Sequence, residues 1–452
     1  MTAPEDLRLS RAWNYPLMDA IFQRRARRVP WGAEKPGGVA PFHSRRRPFP
    51  LDELEEALLA AAGAGITGVA LADLPYTDWE GSNLAGNLLI QFTGRTYPSP
   101  CSSHGTELFF TNDEGTYFIN MRGKQPDRMM MLGTAEDRAK VLELYRTSVV
   151  RIGEGRMKLP VLSHLPWNRW HVNQPGTTMF IPVSDVTWQY INGFFVTLEG
   201  RQSYIYDDLN GNAEPLKVFA GAGRLDRRRA VPLSAYEQRI ALQVVGVEQS
   251  AMLHNMALVS QGIGLGSFVF PAMDAAAAFG APGETGGLGF RHALPLDRPG
   301  RPSWLAPPRP VAVGLDGLFE AYCPPYHKDM RSAVRAVYEA KWGERGIYTD
   351  EKAFSGLKDR RPLARDVPRT ADWIVEATEV FCQYVWDTYG RLPATVEPMS
   401  TLLWFQALHL DTDFYDQFYQ PGAYTEAIRD HMKHWHPDQP LEDPSAERPV
   451  DK

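Results

Sequence analysis

Apolar positions recur at helical spacing over 15–28, where Leu17, Ile21 and Phe22 share a stripe and Arg24, Arg25, Arg27 and Arg28 crowd the end. That pattern predicts a helix with a cationic C-terminus, closed by Pro30 and Gly32. A second helix is predicted in PFPLDELEEALLAAAGAG, with Asp52, Glu53, Glu55 and Glu56 in its first turns and Gly63 and Gly65 at its stop. Over 94–120 the text changes to a Ser/Pro/Gly-rich loop, RTYPSPCSSHG, followed by TELFFTNDEGTYFIN, two β-rich runs around an Asn-Asp-Glu-Gly turn. Residues 134–150 read as a helix. The runs TTMFIPVSDVTW, INGFFVTLEG and QSYIYDDLNG read as strands of a meander or hairpin pair, with turns at Glu199-Gly200 and Asn210-Gly211. The most apolar helix is predicted over 234–263, where Ile240, Val244, Val247, Ala251, Ala257 and Leu258 line buried faces and Gly262, Gly264 and Gly266 mark its end.

A Pro-rich connector, LPLDRPGRPSWLAPPRPV, then separates this portion from an aromatic-rich, mostly helical remainder. The expected organisation is one domain over 1–312 with an insertion at about 121–233, a helical extension over 313–437, and a disordered tail over 438–452. The text shows no internal repeat.

Composition narrows the function classes. Of 452 residues, 44% are hydrophobic and 23% charged, which excludes intrinsic disorder. Forty-eight basic and 54 acidic residues give a formal charge of -6, too balanced for a protein that grips nucleic acid over its whole surface, so any anion site must be local. Cys101, Cys323 and Cys382 form no CxxC pair, which supports neither a disulfide framework nor a thiolate zinc site. The opening residues lack a secretory pattern, and no run approaches the roughly 20 apolar residues of a membrane span. A cytoplasmic protein without membrane or nucleic-acid partners is expected.

Four constellations carry candidate chemistry. Guanidinium groups bind phosphate bidentately, so Arg24, Arg25 and Arg28 at one helix end suit a phosphate monoester; the bland alternative is a solvated helix terminus. In the loop Pro98–Gly105, backbone amides and small hydroxyls suit a phosphate or ribityl chain, although linkers share that composition. GIGLGS is no dinucleotide fingerprint, because Ser267 stands where the third glycine is required and the run follows a helix instead of a strand. Finally His409 and Asp411, with His431, His434 and His436, have spacings that suit a divalent metal, but they read first as surface polar residues and no metal is assigned.

Taken together, the first three segments resemble the FMN-dependent nitroreductase family, particularly its azoline-forming dehydrogenase branch. The family's I-x-x-R-R-S-x-R is matched by Ile21-Phe22-Gln23-Arg24-Arg25-Ala26-Arg27-Arg28, and its PLSxEELxxLLxAAxG by PLDELEEALLAAAGAG. R-T-x-P-S-A-G-A-x-Y-P-x-E-L-Y aligns without a gap with RTYPSPCSSHGTELF from Arg95 to Phe109, and QNLxLAAxxLGLGS with HNMALVSQGIGLGS from His254 to Ser267. Departures are Ala26 for the usual Ser, Pro100 to Ser103 for the small AGA-type run, and His104 where that branch has Tyr. The resemblance implies an α+β three-layer sandwich with a central antiparallel or mixed sheet, here bearing a helical C-terminal extension. It implies a homodimer in which FMN contacts Arg24, Arg25, Arg28, Ser99, Ser102, Ser103, Pro271 and Ala272, with Arg301 as the distal phosphate contact.

The expected function is hydride transfer through flavin N5 to or from a small-molecule or peptide-derived substrate, with NADH or NADPH as electron donor. His104 and Tyr97 are the nearest candidate proton donors. The alternatives are a catalytically inactive binding protein on the same fold, or a metal-dependent enzyme using the C-terminal His/Asp cluster.

Overall fold

Of the first expected helix, over 15–28, only Leu17–Gln23 is helical, and an unexpected helix, Leu7–Asn14, precedes it. The computed structural model describes residues 7–439, apart from 36, 71–88, 101, 123–134, 161–164, 272–273, 285, 295–308 and 354–355. Here α1 (Leu7–Asn14) and α2 (Leu17–Gln23) meet at Pro16, and the chain leaves the helical region at Arg24, φ -52 and ψ 127. A proline disfavours the helical conformation of the residue before it, which accounts for the break. Arg24 to Arg28 therefore lie on an extended strap instead of a helix end, and the Arg27 N–H donates to Ser267 O at 3.0 Å. The second predicted helix is α3 (Glu53–Ala64), opened by a capping box between Asp52 and Glu55 and stopped at Gly65.

A seven-stranded sheet organises the molecule. Its strands are β1 (Thr106–Thr111), β2 (Gly115–Ile119), β3 (Val149–Glu154), β4 (Thr177–Asp185), β5 (Gly266–Pro271), β6 (Met399–Ser400) and β7 (Leu403–Leu408). The order is β5-β7-β4-β1-β2-β3, with β6 also on β4, and every pairing is antiparallel. All nine residues of β4 and all six of β1 are buried, as strands covered on both faces must be. Successive side chains point to opposite faces. Phe109, Phe118 and Ile181 accordingly enter one apolar core, and Leu108, Phe110, Phe180 and Phe405 the other.

Helices complete the two outer layers. On one face pack α1, α3 and α4 (Ala135–Ser148), and on the other α5 (Val186–Arg201) and α6 (Leu233–Ala241). From α6 the chain runs through one π-helical stretch, Leu242–Glu248, into α7 (Gln249–Ile263), which ends at Gly264 in the left-handed conformation. The two halves of this long helix serve different cores: Tyr236, Ile240 and Val244 belong to the first, Met252, Leu253 and Met256 to the second. Two later helices, α8 (Met330–Trp342) and α9 (Asp372–Tyr389), pack against α5, and a short one, α10 (His431–Trp435), closes the described chain.

The α+β class and the sheet flanked on both faces agree with expectation, but three organisational readings do not. INGFFVTLEG lies in α5 and is no strand; Asp185 caps that helix by accepting from the Thr187 N–H, and a short apolar run cannot by periodicity be told from a buried helix. The segment 121–233 is no insertion, because it supplies β4, the strand between β7 and β1. Nor does a boundary near 312 separate two packing units: β7 pairs with β5 on one side and β4 on the other, and Phe381, Val385 and Trp404 share a core with Phe109 and Ile181. The expected disordered tail lies outside the described residues beyond 439. Among the described residues, no helix is long and apolar enough to cross a membrane.

Candidate functional site

The long helix, whose end is itself one of the three resembling segments, is the spine on which the other two meet. From the strap, the Arg25 N–H donates to Gln261 Oε1 at 3.3 Å. From the loop after Arg95, Thr96 O accepts from Asn255 Nδ2 at 2.9 Å. Farther back along the helix, the Glu248 carboxylate accepts from Ser103 Oγ at 3.3 Å and Thr106 Oγ1 at 2.8 Å. At about 1.5 Å of rise per residue, Gln261 and Glu248 lie roughly 20 Å apart, so a ligand touching both anchor points must be long.

The arginines do not converge as a clamp. Arg24 is exposed, and among the described residues the Arg25 guanidinium holds only the carbonyls of Phe22 and Arg24, at 3.5 and 3.3 Å. Arg28 turns the other way, donating to Asn168 Oδ1 at 3.3 Å and lying over the rings of Trp170 and Phe268, both at 5.9 Å. Its neighbour His171 is sealed against Gln406 Oε1 at 3.1 Å. The predicted group Arg24, Arg25 and Arg28 is thus split between solvent and interior.

The serine loop folds inward. Ser99 Oγ accepts the Ser103 N–H at 3.2 Å and sits 3.3 Å from Ser103 Oγ, while Ser102 and His104 adopt positive φ of 50° and 47°. Left-handed backbone at non-glycine residues is uncommon and is held here by the hydroxyl contacts. Burial pushes the Glu248 carboxyl up to about 7, although Ser99, Thr106, Ser103 and Arg95 all favour its charged form. Glu248 was not among the expected site residues; its sequence signal is an acid on the buried stripe Val244, Val245, Glu248, Gln249 and Met252.

The two expected proton donors are enclosed. Tyr97 is fully buried with its hydroxyl donating to Thr106 O at 2.7 Å, and burial raises its phenol well above the usual range. His104 packs edge-on against Tyr97 at 5.4 Å, and burial, then the Arg95 charge, pushes it down to about 3. It is therefore a neutral imidazole at physiological pH, and its Nδ1 has no partner among the described residues. Arg95 and Glu107, which bracket the loop, form a bidentate ion pair with both side chains at 0% exposure. Pro271 is the exposed last residue of β5, opposite Leu403. Ala272 and Arg301 lie outside the described residues.

The C-terminal cluster divides. Asp411 does not join the histidines: it pairs with Arg46 at 2.5 Å and accepts from Ser44. His409, His431 and His436 instead gather on Glu55 of α3, a residue the sequence reading placed only in a helix first turn.

No protein-family model matches the sequence, and no curated protein matches it. A solved structure from Ralstonia eutropha, described as that of a candidate nitroreductase, shares 14% identity over 57% of this chain and 71% of that one. Its TM-score of 0.24 is too low to carry an argument about fold or activity.

Proposed function

We propose that this protein is a flavin-dependent oxidoreductase of nitroreductase-like organisation, acting on a small-molecule or peptide-derived substrate with NADH or NADPH as electron donor. One observation carries the reading: two segments far apart in the chain, each resembling a stretch of that family, hydrogen-bond to one helix, and the end of that helix is itself the third such stretch.

FMN fits the residues at two points. Arg24 and Arg25 form no ion pair among the described residues and are free to hold a phosphate. At the other end, the buried and unpartnered His104 Nδ1 is an atom that a ligand hydrogen bond would satisfy. A bound flavin would supply the hydride chemistry at N5. The chain's part is to bind and orient: Glu248 fixes Ser103 and Thr106, and Arg95 with Glu107 fixes the ends of the loop. A homodimer belongs to this reading, supported by the exposed apolar Leu17, Met18, Ile21 and Phe22 of α2, a face that a second copy would cover.

A second reading, a binding protein on the same organisation without catalysis, is favoured by the enclosure of Tyr97 and by the commitment of Ser103 to Glu248. Visible absorption of the purified protein, identification of any heat-released cofactor, and FMN titration of colourless protein separate the two. Flavin that NADH or NADPH bleaches supports the oxidoreductase. Bound flavin that neither donor reduces favours the binding protein. A colourless protein that takes up no FMN sinks the oxidoreductase.

A further inference from the structure

One carboxylate oxygen is the meeting point of three imidazoles. Glu55 Oε1 lies 3.1 Å from His409 Nε2, 2.8 Å from His431 Nε2 and 2.9 Å from His436 Nε2. The side chains are 0, 1, 3 and 8% exposed for Glu55, His409, His431 and His436, and one ligand atom from each lies within 4.8 Å of the others. Phe49 packs against His409 and His436 at 4.9 and 5.0 Å, and Trp435 stacks on His431 at 5.4 Å, so apolar walls surround the group.

Hydrogen counting shows what the cluster lacks. His409 Nδ1 faces Phe49 O at 2.9 Å, and His431 Nδ1 faces Ile263 O at 2.6 Å. A carbonyl can only accept, so each Nδ1 must carry the ring's hydrogen, and a neutral imidazole has no second one. Nε2 of both rings is then a bare lone pair aimed at a carboxylate oxygen, itself an acceptor. Reversing the tautomer only moves the missing hydrogen to the carbonyl side. Protons alone would require two additional ones on this buried group, either as two imidazolium ions with ring centroids 5.2 Å apart or as one imidazolium beside a neutral Glu55 carboxyl. One divalent cation supplies every Nε2 and the carboxylate at once, and Nδ1–H bonds to backbone carbonyls are the outer contacts that orient metal-binding histidines.

We infer that Glu55, His409, His431 and His436 form a binding site for a zinc-class divalent ion, and that the ion fastens the C-terminal helix α10 to α3 and to the end of β7. Three imidazoles and one carboxylate match the donor set and coordination number of tetrahedral zinc. Four protein ligands leave no open position for substrate, which makes the ion structural and not catalytic. The ligands are separated by 354, 376 and 381 residues from Glu55, so the ion ties the two ends of the described chain.

The test uses the full chain with any purification tag removed. Elemental analysis, and ZnCl2 titration of chelator-treated protein, should find about one zinc per chain. CoCl2 should give the visible spectrum of four-coordinate cobalt. His431→Ala and His436→Ala should lose zinc uptake and the cobalt spectrum, while His434→Ala, on the same helix but outside the cluster, keeps both. Should an alanine variant fail to fold, His436→Asp retains a ligand atom and should bind zinc more weakly. A chelator should lower the melting temperature of the native protein but not of His436→Ala. Zinc uptake unchanged in His431→Ala and His436→Ala overturns the assignment, and so does chelator-treated native protein that takes up no zinc and melts identically with and without it. Flavin content measured on the same samples is independent of either outcome.

Discussion

Replacing Arg95 by Met should cost far more than the loss of a hydrogen bond. Its guanidinium donates to Glu107 Oε1 at 3.3 Å and Oε2 at 2.8 Å, and Nε donates to Ala64 O at 3.1 Å. With both side chains at 0% exposure, solvent neither screens the pair nor rehydrates a survivor. At an effective dielectric of about 20, unit charges about 4 Å apart attract by ~4 kcal/mol, and desolvation of the two ions offsets most of that. The pair is therefore worth little against an apolar replacement, but either partner alone is a stranded buried charge. Arg95→Met and Glu107→Leu should each lose about 3–5 kcal/mol. The double variant should lose only about 1–2 kcal/mol, chiefly for the orphaned Ala64 carbonyl and imperfect packing. Urea unfolding followed by fluorescence of the 12 tryptophans measures all four proteins, with the denaturant slope checked for constancy. A double variant that loses the sum of the two singles would refute the reasoning, as would single losses below about 1 kcal/mol.

Glu248 gives a pH signature. Its carboxyl rises from 4.5 to about 7 on folding, so the native state holds the proton more tightly, and stability present below pH 4.5 is lost as pH rises towards 7. The difference is roughly 3 kcal/mol; Glu248→Gln should flatten that part of the stability curve, and an unchanged slope in urea unfolding at several pH values would contradict it. Gly264 sits at φ +87, and a Cβ there would lie 2.3 Å from Ala427 O. Gly264→Ala should lower stability by more than about 2 kcal/mol, read as a drop in melting temperature. Tyr97→Phe removes one buried hydrogen bond, to Thr106 O, and should cost about 1 kcal/mol while leaving the pH profile of any flavin turnover unmoved. A displaced profile would return Tyr97 to proton transfer.

Local chemistry in the text predicted local structure well. The acidic first turn of α3, the Asn-Asp-Glu-Gly turn between β1 and β2, and the apolar stripe of the long helix each have a short-range physical cause, and each stands where expected. Readings that depended on partners distant in the chain went astray. LLWFQAL lies in the remainder expected to be mostly helical, and it is a strand because β5 and β4 offer open edges on both sides. Arginine spacing placed Arg24, Arg25 and Arg28 together at one helix end, whereas the strap separates them, aiming Arg28 at Asn168 and Arg24 at solvent. For the histidines the spacing was visible and the ligand atoms were not: Glu55, the residue on which they converge, is indistinguishable in sequence from the capping acids around it.

The position of β7 sets the order in which this molecule can be assembled. During synthesis β1 to β5 are complete by residue 271, yet β5 and β4 have no common border until residues 403–408 slide between them. Until then both strands carry unpaired backbone edges, the feature most exposed to association with other chains. The pairings among β1 to β4 can form early, but the pairing that joins β5 to them through β7 spans more than two hundred residues from the Thr177 strand to Leu408. A fragment ending at the proline-rich connector would keep five of the seven strands and still lack a continuous sheet. Such a fragment should aggregate instead of behaving as a smaller version of the protein.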